Sequence, residues 1–111
     1  MVDMQYRNRI NQLLSIYGEK LSPLQKEDLI SYYSDDLSLS EIALNRNVSR
    51  NAIHLSIKNG EKELEELESK LHILALFTKI NKELDTIYED KSKEEILEIV
   101  RKIKEELTHG I

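Results

Sequence analysis

The sequence predicts an all-α protein built around a helix-turn-helix, with additional helices in its C-terminal half. Three observations carry that expectation. Leu, Ile, Glu and Lys dominate the 111 residues, and only one Pro and three Gly interrupt them, a composition of helices rather than of strands and turns. Apolar residues recur three and four apart, with no stretch of strand alternation. Ser stands just ahead of such runs at Ser22, Ser38, Ser49 and Ser92, where its hydroxyl can accept a hydrogen bond from an otherwise unpaired helix amide.

The first helix carries Tyr6, Ile10, Leu13, Leu14 and Tyr17 at helical spacing behind an Asp3 cap, and Gly18 with Lys20 marks its end. Ser22-Pro23-Leu24-Gln25 opens the second: Ser22 caps, Pro23 fits the first turn, and Gln25 can reach back to the cap. This helix is expected to run to about Tyr33. Asp35-Asp36 then breaks it, and the pair reads as a turn rather than a metal or acid/base site. Tyr32 and Tyr33 fall at the helix end, where packing is the expected role over base stacking.

Ser38-Leu39-Ser40-Glu41 is a capping box ahead of Ile42, Ala43 and Leu44, and Asn45-Arg46-Asn47 is the turn that follows. Asn47 sits where such a turn needs a left-handed residue, which Asn tolerates better than most. Val48-Ser49 opens a fourth helix with Ile53 and Ile57 facing inward. Asn59-Gly60 could end it. Leu64, Leu67, Leu71 and Leu74 nevertheless follow with a 3-4-3 spacing, and Ile80, Leu84 and Ile87 extend the stripe. A long helix, weakened by ~1 kcal/mol at the glycine, is therefore expected. Ser92 caps a last helix carrying Ile96, Val100, Ile103 and Leu107, so the C-terminal half reads as a helical hairpin or a pair of docking helices.

Residues 1–60 are accordingly assigned to the N-terminal helices and the helix-turn-helix, and 61–111 to a C-terminal helical region that dimerises. Only six aromatic rings are present, so the core is thin and a homodimer is expected, with the Leu64 to Ile87 stripe as its seam.

Several classes of function are excluded or disfavoured. The chain has no Cys, which removes disulfides, thiolate catalysis and cysteine-ligated zinc. It has no phosphate-binding glycine loop, nucleophile elbow or His-Glu zinc motif. No enzyme, cofactor or metal is expected; His54 has no second ligand three or four residues away. The N-terminus lacks a signal-peptide core, and no run of ~18 apolar residues occurs, so membrane insertion is not expected and the cytoplasm is. A net charge of -5 argues against indiscriminate coating of nucleic acid, but it averages over segments.

Function concentrates in residues 38–58. A short capped helix with small Ala43 at the crossing, a turn, and a second helix from Ser49 form a helix-turn-helix, a unit that lays its second helix in the DNA major groove. Arg50, Asn51 and His54, exposed near the start of that helix, are types that reach base edges or phosphates, and Lys58 lies one turn further on. Residues 42–60 contain Arg46, Arg50 and Lys58 and no acid, whereas 61–111 hold 9 basic and 14 acidic residues. The candidate DNA-binding set is thus Ser49, Arg50, Asn51, His54, Lys58 and Arg46, with double-stranded DNA as partner. Three cations per subunit bind DNA weakly, which again favours two copies.

These residues resemble the YlxM family of small bacterial helix-turn-helix proteins, whose genes lie beside those of the signal recognition particle. The similarity runs from about Leu13 to Leu71, through Leu14-Ser15-Ile16-Tyr17-Gly18, Tyr32 to Ala43 and Val48 to Ile53. The pieces Ser38 to Ala43 and Val48 to Ile53 are also similar to region four of the major bacterial sigma factors, which reads the promoter -35 element. The resemblance implies an all-helical dimer with a sigma-like DNA-binding unit and a regulatory role in the signal recognition particle pathway. Its recognition-helix pattern falls on Ser49, Arg50, Asn51, Ala52, Ile53, Ile57 and Lys58. The rival expectation is a helical adaptor for a protein or RNA partner in that pathway, using the acidic second half of the chain as its contact surface, with Glu65, Glu66 and Glu68 as the positions whose charge reversal should abolish binding.

Overall fold

A computed structural model describes residues 3–109; Met1 and Val2, part of the N-terminus read above, and Gly110, one of its three glycines, lie outside the described residues, as does Ile111. The described residues form six α-helices and no strand: α1 (Met4–Tyr17), α2 (Pro23–Tyr33), α3 (Leu39–Arg46), α4 (Arg50–Leu71), α5 (Ile73–Asp85) and α6 (Lys93–His109). They fall into two compact units, Met1–Leu71 and His72–Ile111. None of these helices is long and apolar enough to cross a membrane.

In the first unit the predicted caps are in place. The Asp3 carboxylate accepts from the Gln5 N–H at 2.8 Å and starts α1. Ser22 accepts from the Gln25 N–H at 3.3 Å, with Pro23 in the first turn of α2. The Gln25 side chain does not return to the cap as the sequence suggested. In the amide orientation that satisfies both its ends, it accepts from the Gly60 N–H and donates to Glu63, each at 3.2 Å, so it serves the α2–α4 contact instead. The carbonyl of Tyr33 at the end of α2 receives Arg7 at 3.3 Å and Asn11 at 3.1 Å, which answers one of the acceptors a helix C-terminus leaves open. Asp36 follows in the left-handed region at φ 58° and pairs with Arg7 at 3.0 Å.

Helix α3 starts on the full Ser38–Glu41 capping box, both bonds being 3.1 Å. It ends at Asn47, whose φ of 57° and ψ of 45° are left-handed, as the turn requires. Ser49 accepts from the Ala52 N–H at 3.0 Å and opens α4.

Helix α4 then runs through Asn59 and Gly60 without interruption, 22 residues in all. The glycine is explained by contact rather than by a turn: a Cβ at Gly60 would lie 2.6 Å from Leu29 Cδ1 and 3.1 Å from Gln25 Cγ. Only a residue without a side chain lets α2 and α4 approach so closely. Ile10, Leu13, Leu29, Ile53 and Leu64 are 0% exposed at the centre of this unit, and each such side chain contributes about 1.5–3 kcal/mol by leaving water. Ile42 and Ala43 join them from α3.

Two expectations are corrected. The stripe from Leu64 to Ile87 is not one helix, because His72 adopts φ 56° and ends α4. Leu64 is in its own unit's core rather than on a seam. The first compact unit runs to Leu71 and holds the whole of α4.

The second unit is a helical hairpin. Ion pairs Lys79–Glu106 at 3.1 Å and Lys102–Glu83 at 3.2 Å join α5 to α6, an order of partners that makes the two helices antiparallel. Ser92 and Glu95 exchange capping bonds of 3.2 Å at the start of α6. Phe77, Leu84, Leu97, Val100 and Leu107 remain exposed on this hairpin.

Candidate nucleic-acid interface

The candidate interface stands on a polar cluster beneath the turn. Asp28 of α2, fully buried, accepts from Ser56 of α4 at 2.6 Å and from a short Arg46 contact at the end of α3. One carboxylate therefore ties together the three helices that set the helix-turn-helix angle. Its second oxygen, Oδ1, has no partner among the described residues. A buried pair of this kind is weak evidence of net stability, yet removing one partner alone strands the other charge.

Arg46, expected to contact DNA, turns its guanidinium inward to Asp28, with its side chain 23% exposed. The remaining candidates stay outward. Ser49 is occupied as the cap of α4. Arg50, Asn51, His54 and Lys58 are all exposed on the first three turns of that helix, as helical spacing dictates when Ile53 and Ile57 face the core. The side chains of Arg50, Asn51 and His54 have no hydrogen-bond or ion-pair partner among the described residues. Lys58 lies 3.6 Å from Glu61, a loose pair with one solvent-exposed member.

The acid-free window 42–60 is consequently less positive than its residue count. Arg46 is neutralised by Asp28 and Lys58 is partly offset by Glu61, leaving Arg50 as the cation in that window with no acidic partner among the described residues.

Arg50, Asn51, His54 and Lys58 form one wall of a groove of about 610 Å³, with Ile57 and Glu61 deeper along the same helix. Asp3, Tyr6, Tyr32, Tyr33 and Leu39 complete it. Tyr33 is buried, with Tyr32 edge-on at 5.0 Å and Tyr6 edge-on at 6.1 Å between ring centroids. Its hydroxyl donates to Glu61 in a short contact. Burial first, and the bond to Glu61 second, push the Tyr33 hydroxyl far above its ordinary pKa, so near neutral pH it stays a donor. Burial likewise raises Tyr6, helped by the Glu61 charge.

The packing role expected of Tyr33 is what the structure shows, whereas Tyr32 is half-buried on the groove wall. Sequence reasoning missed Tyr6, Leu39 and Glu61 as parts of this groove. One signal was available for Glu61: with Glu68 it occupies the inward stripe of Ile57 and Leu64, where a carboxylate needs a donor. Tyr33 supplies it for Glu61, and Tyr17 for Glu68 at 2.6 Å.

Of the three acids singled out on the expected adaptor surface, two are engaged within the fold, while Asp85, Glu89, Asp90, Glu94, Glu98 and Glu105 of the same acidic half stay exposed. Glu65 takes both its bonds from Arg9, at 2.8 and 2.9 Å, and Glu68 is buried. Glu66 alone of the three is exposed. Among the described residues no group of His, Asp or Glu could hold a metal ion.

The UPF0122 family model, described as "Putative helix-turn-helix protein, YlxM / p13 like", matches residues 4–106. A UPF0122 protein of Fusobacterium nucleatum is 45% identical over 94 residues, covering 85% of this chain and 91% of that protein. One from Malacoplasma penetrans is 51% identical over 70 residues, 63% of this chain and 65% of the relative. Another from Pediococcus pentosaceus is 42% identical over 86 residues, 78% of this chain and 76% of the relative.

Proposed function

The chain belongs to the UPF0122 family of helix-turn-helix proteins, and from that premise we propose that it is a regulator that binds double-stranded DNA. Helix α3 positions the unit on the backbone, and the first turns of α4 enter the major groove. The observation that carries this reading is the side-by-side exposure of Arg50, Asn51 and His54, without partners, directly after the left-handed turn at Asn47. A guanidinium suits guanine or phosphate, and an amide suits adenine. Lys58, held only loosely by Glu61, is placed to exchange that contact for a phosphate.

Ser49 contributes by fixing the start of α4, and Arg46 by holding α3 through Asp28. Two copies are proposed to act together, since so few available cations give one subunit little affinity. The exposed apolar residues of the C-terminal hairpin support that pairing. The resemblance to YlxM proteins extends the proposal to regulation in the signal recognition particle pathway, in the cytoplasm.

The test is fluorescence anisotropy against DNA from the protein's own upstream region over a salt series, with unrelated DNA, structured RNA and Arg50→Ala as controls. Sequence-preferring binding that Arg50→Ala weakens by about 1–3 kcal/mol is expected for a bidentate base contact. Equal binding to all DNA at every salt, unchanged in Arg50→Ala, removes the assignment. Preference for the RNA would move the function to a ribonucleoprotein adaptor.

A further inference from the structure

The reader helix carries one residue that its polar candidates leave unexplained. Leu55 is 52% exposed on α4, between His54 and the half-buried Ser56. At about 100° per residue, it points directly away from Ile53 and Ile57, and within about 60° of Asn51, Lys58 and Lys62. It therefore stands near the middle of the outward face, while Arg50 and His54 flank it on the side of the tyrosine groove. Leu55 itself does not line that groove.

A single large apolar side chain amid an amide and two ammonium groups does not make a protein-docking patch, which needs contiguous apolar area. It does match the major-groove edge of one base. Thymine alone presents a methyl group there, and apolar side chains are its readers. Lys58 and Lys62 lie on one side of Leu55, and they supply the complement to the phosphates along that side of the groove.

We propose that Leu55 is a specificity-determining residue that packs on the C5-methyl of a thymine, setting a T·A pair within the recognised site. This rests on the DNA-reading function proposed above. It predicts that the preferred site owes part of its affinity to a group that forms no hydrogen bond.

The test begins with selection of preferred duplexes from a random-sequence pool by the full-length protein. Each thymine of the selected site is then replaced by deoxyuridine, which removes only the methyl. At the contacted position, wild-type affinity should fall about 4-fold, the ~0.8 kcal/mol of one buried methyl at 1.4 kcal/mol per tenfold. Leu55→Ala, an exposed change that leaves the unfolding midpoint in place, should bind thymine and deoxyuridine duplexes equally. Losses at every position that are the same in wild type and Leu55→Ala, or no loss at any position, overturn the assignment of Leu55 while leaving the DNA reading intact. A selection that enriches no sequence overturns the DNA reading and this inference together.

Discussion

Replacing Gly60 by Ala sets two opposed effects against each other. In a free helix the change gains about 1 kcal/mol of propensity. Here the new methyl would lie 2.6 Å from Leu29 Cδ1, against about 3.5–4.0 Å for an ordinary carbon contact. Leu29 is fully buried and cannot swing aside, so α2 and α4 must separate by roughly 1 Å. Overpacking of that kind costs about 1–3 kcal/mol, and the net expectation is a destabilisation of about 1 kcal/mol. Urea unfolding at one fixed protein concentration reads it, since association would otherwise shift the midpoint. Asn59→Ala, exposed on the same helix, is the propensity control and should be neutral or slightly stabilising. Leu29→Ala alone should cost about 2–5 kcal/mol. The double change should cost less than the sum of the two singles, because the methyl added at position 60 enters the space Leu29 vacates. A stabilisation of about 1 kcal/mol in Gly60→Ala, with additive singles, would refute the close approach of the two helices.

The Asp28 cluster and the α6 cap give two further expectations. Arg46→Met leaves a buried carboxylate held only by Ser56, and should destabilise by about 3 kcal/mol, the lower end for buried pairs because Arg46 is itself partly exposed; Asp28→Leu with Arg46→Met should recover most of that in denaturant unfolding, and a neutral Arg46→Met would show the pair to be dispensable. The Glu95 carboxyl is held below the ordinary glutamate pKa, first by the Ser92 N–H and then by the Ser92 hydroxyl. A folded-state value lower than the unfolded one means the cap supports α6 above the ordinary glutamate range and is lost as pH falls through the lowered value. A carboxyl-carbon NMR titration should show this, with Ser92→Ala moving Glu95 part of the way back toward its ordinary value, since the backbone N–H remains; no movement would remove the Ser92 hydroxyl as a cause.

The local features of the fold were legible because their causes are local. A Ser followed three residues later by Glu specifies its own cap, and Asn47 marks its own turn, so α1, α2, α3 and the opening of α4 could be placed from neighbours alone. Arg46 shows where such reading stops. Its position beside the turn suits DNA, but Asp28, eighteen residues earlier, decides its direction. Gly60 is similar: sequence marks it as a weak point, and only Leu29 across the helix pair shows it to be a contact. The long leucine stripe misled because periodicity does not register one left-handed residue, and His72 carries no glycine-like warning. Glu61 and Glu68 were readable in part, since acids on an apolar stripe call for donors, but nothing in their spacing names Tyr33 and Tyr17.

Helix α4 is a rod of 22 residues, about 33 Å long, and its leading end is the proposed reader. A glycine near its middle would ordinarily serve as a joint, letting one end swing while the other stays fixed. Wedged against Leu29 and Gln25, this one cannot flex independently, and the tyrosine-held carboxylates at Glu61 and Glu68 brace the rod on either side of Leu64. The near end therefore moves only as the far end moves. With those contacts as the fulcrum, about 15 Å from Arg50, a tilt of a few degrees forced at the trailing end of α4 moves Arg50 by only about 1 Å, so the packing that denies the glycine its joint also limits how far the leading end can travel.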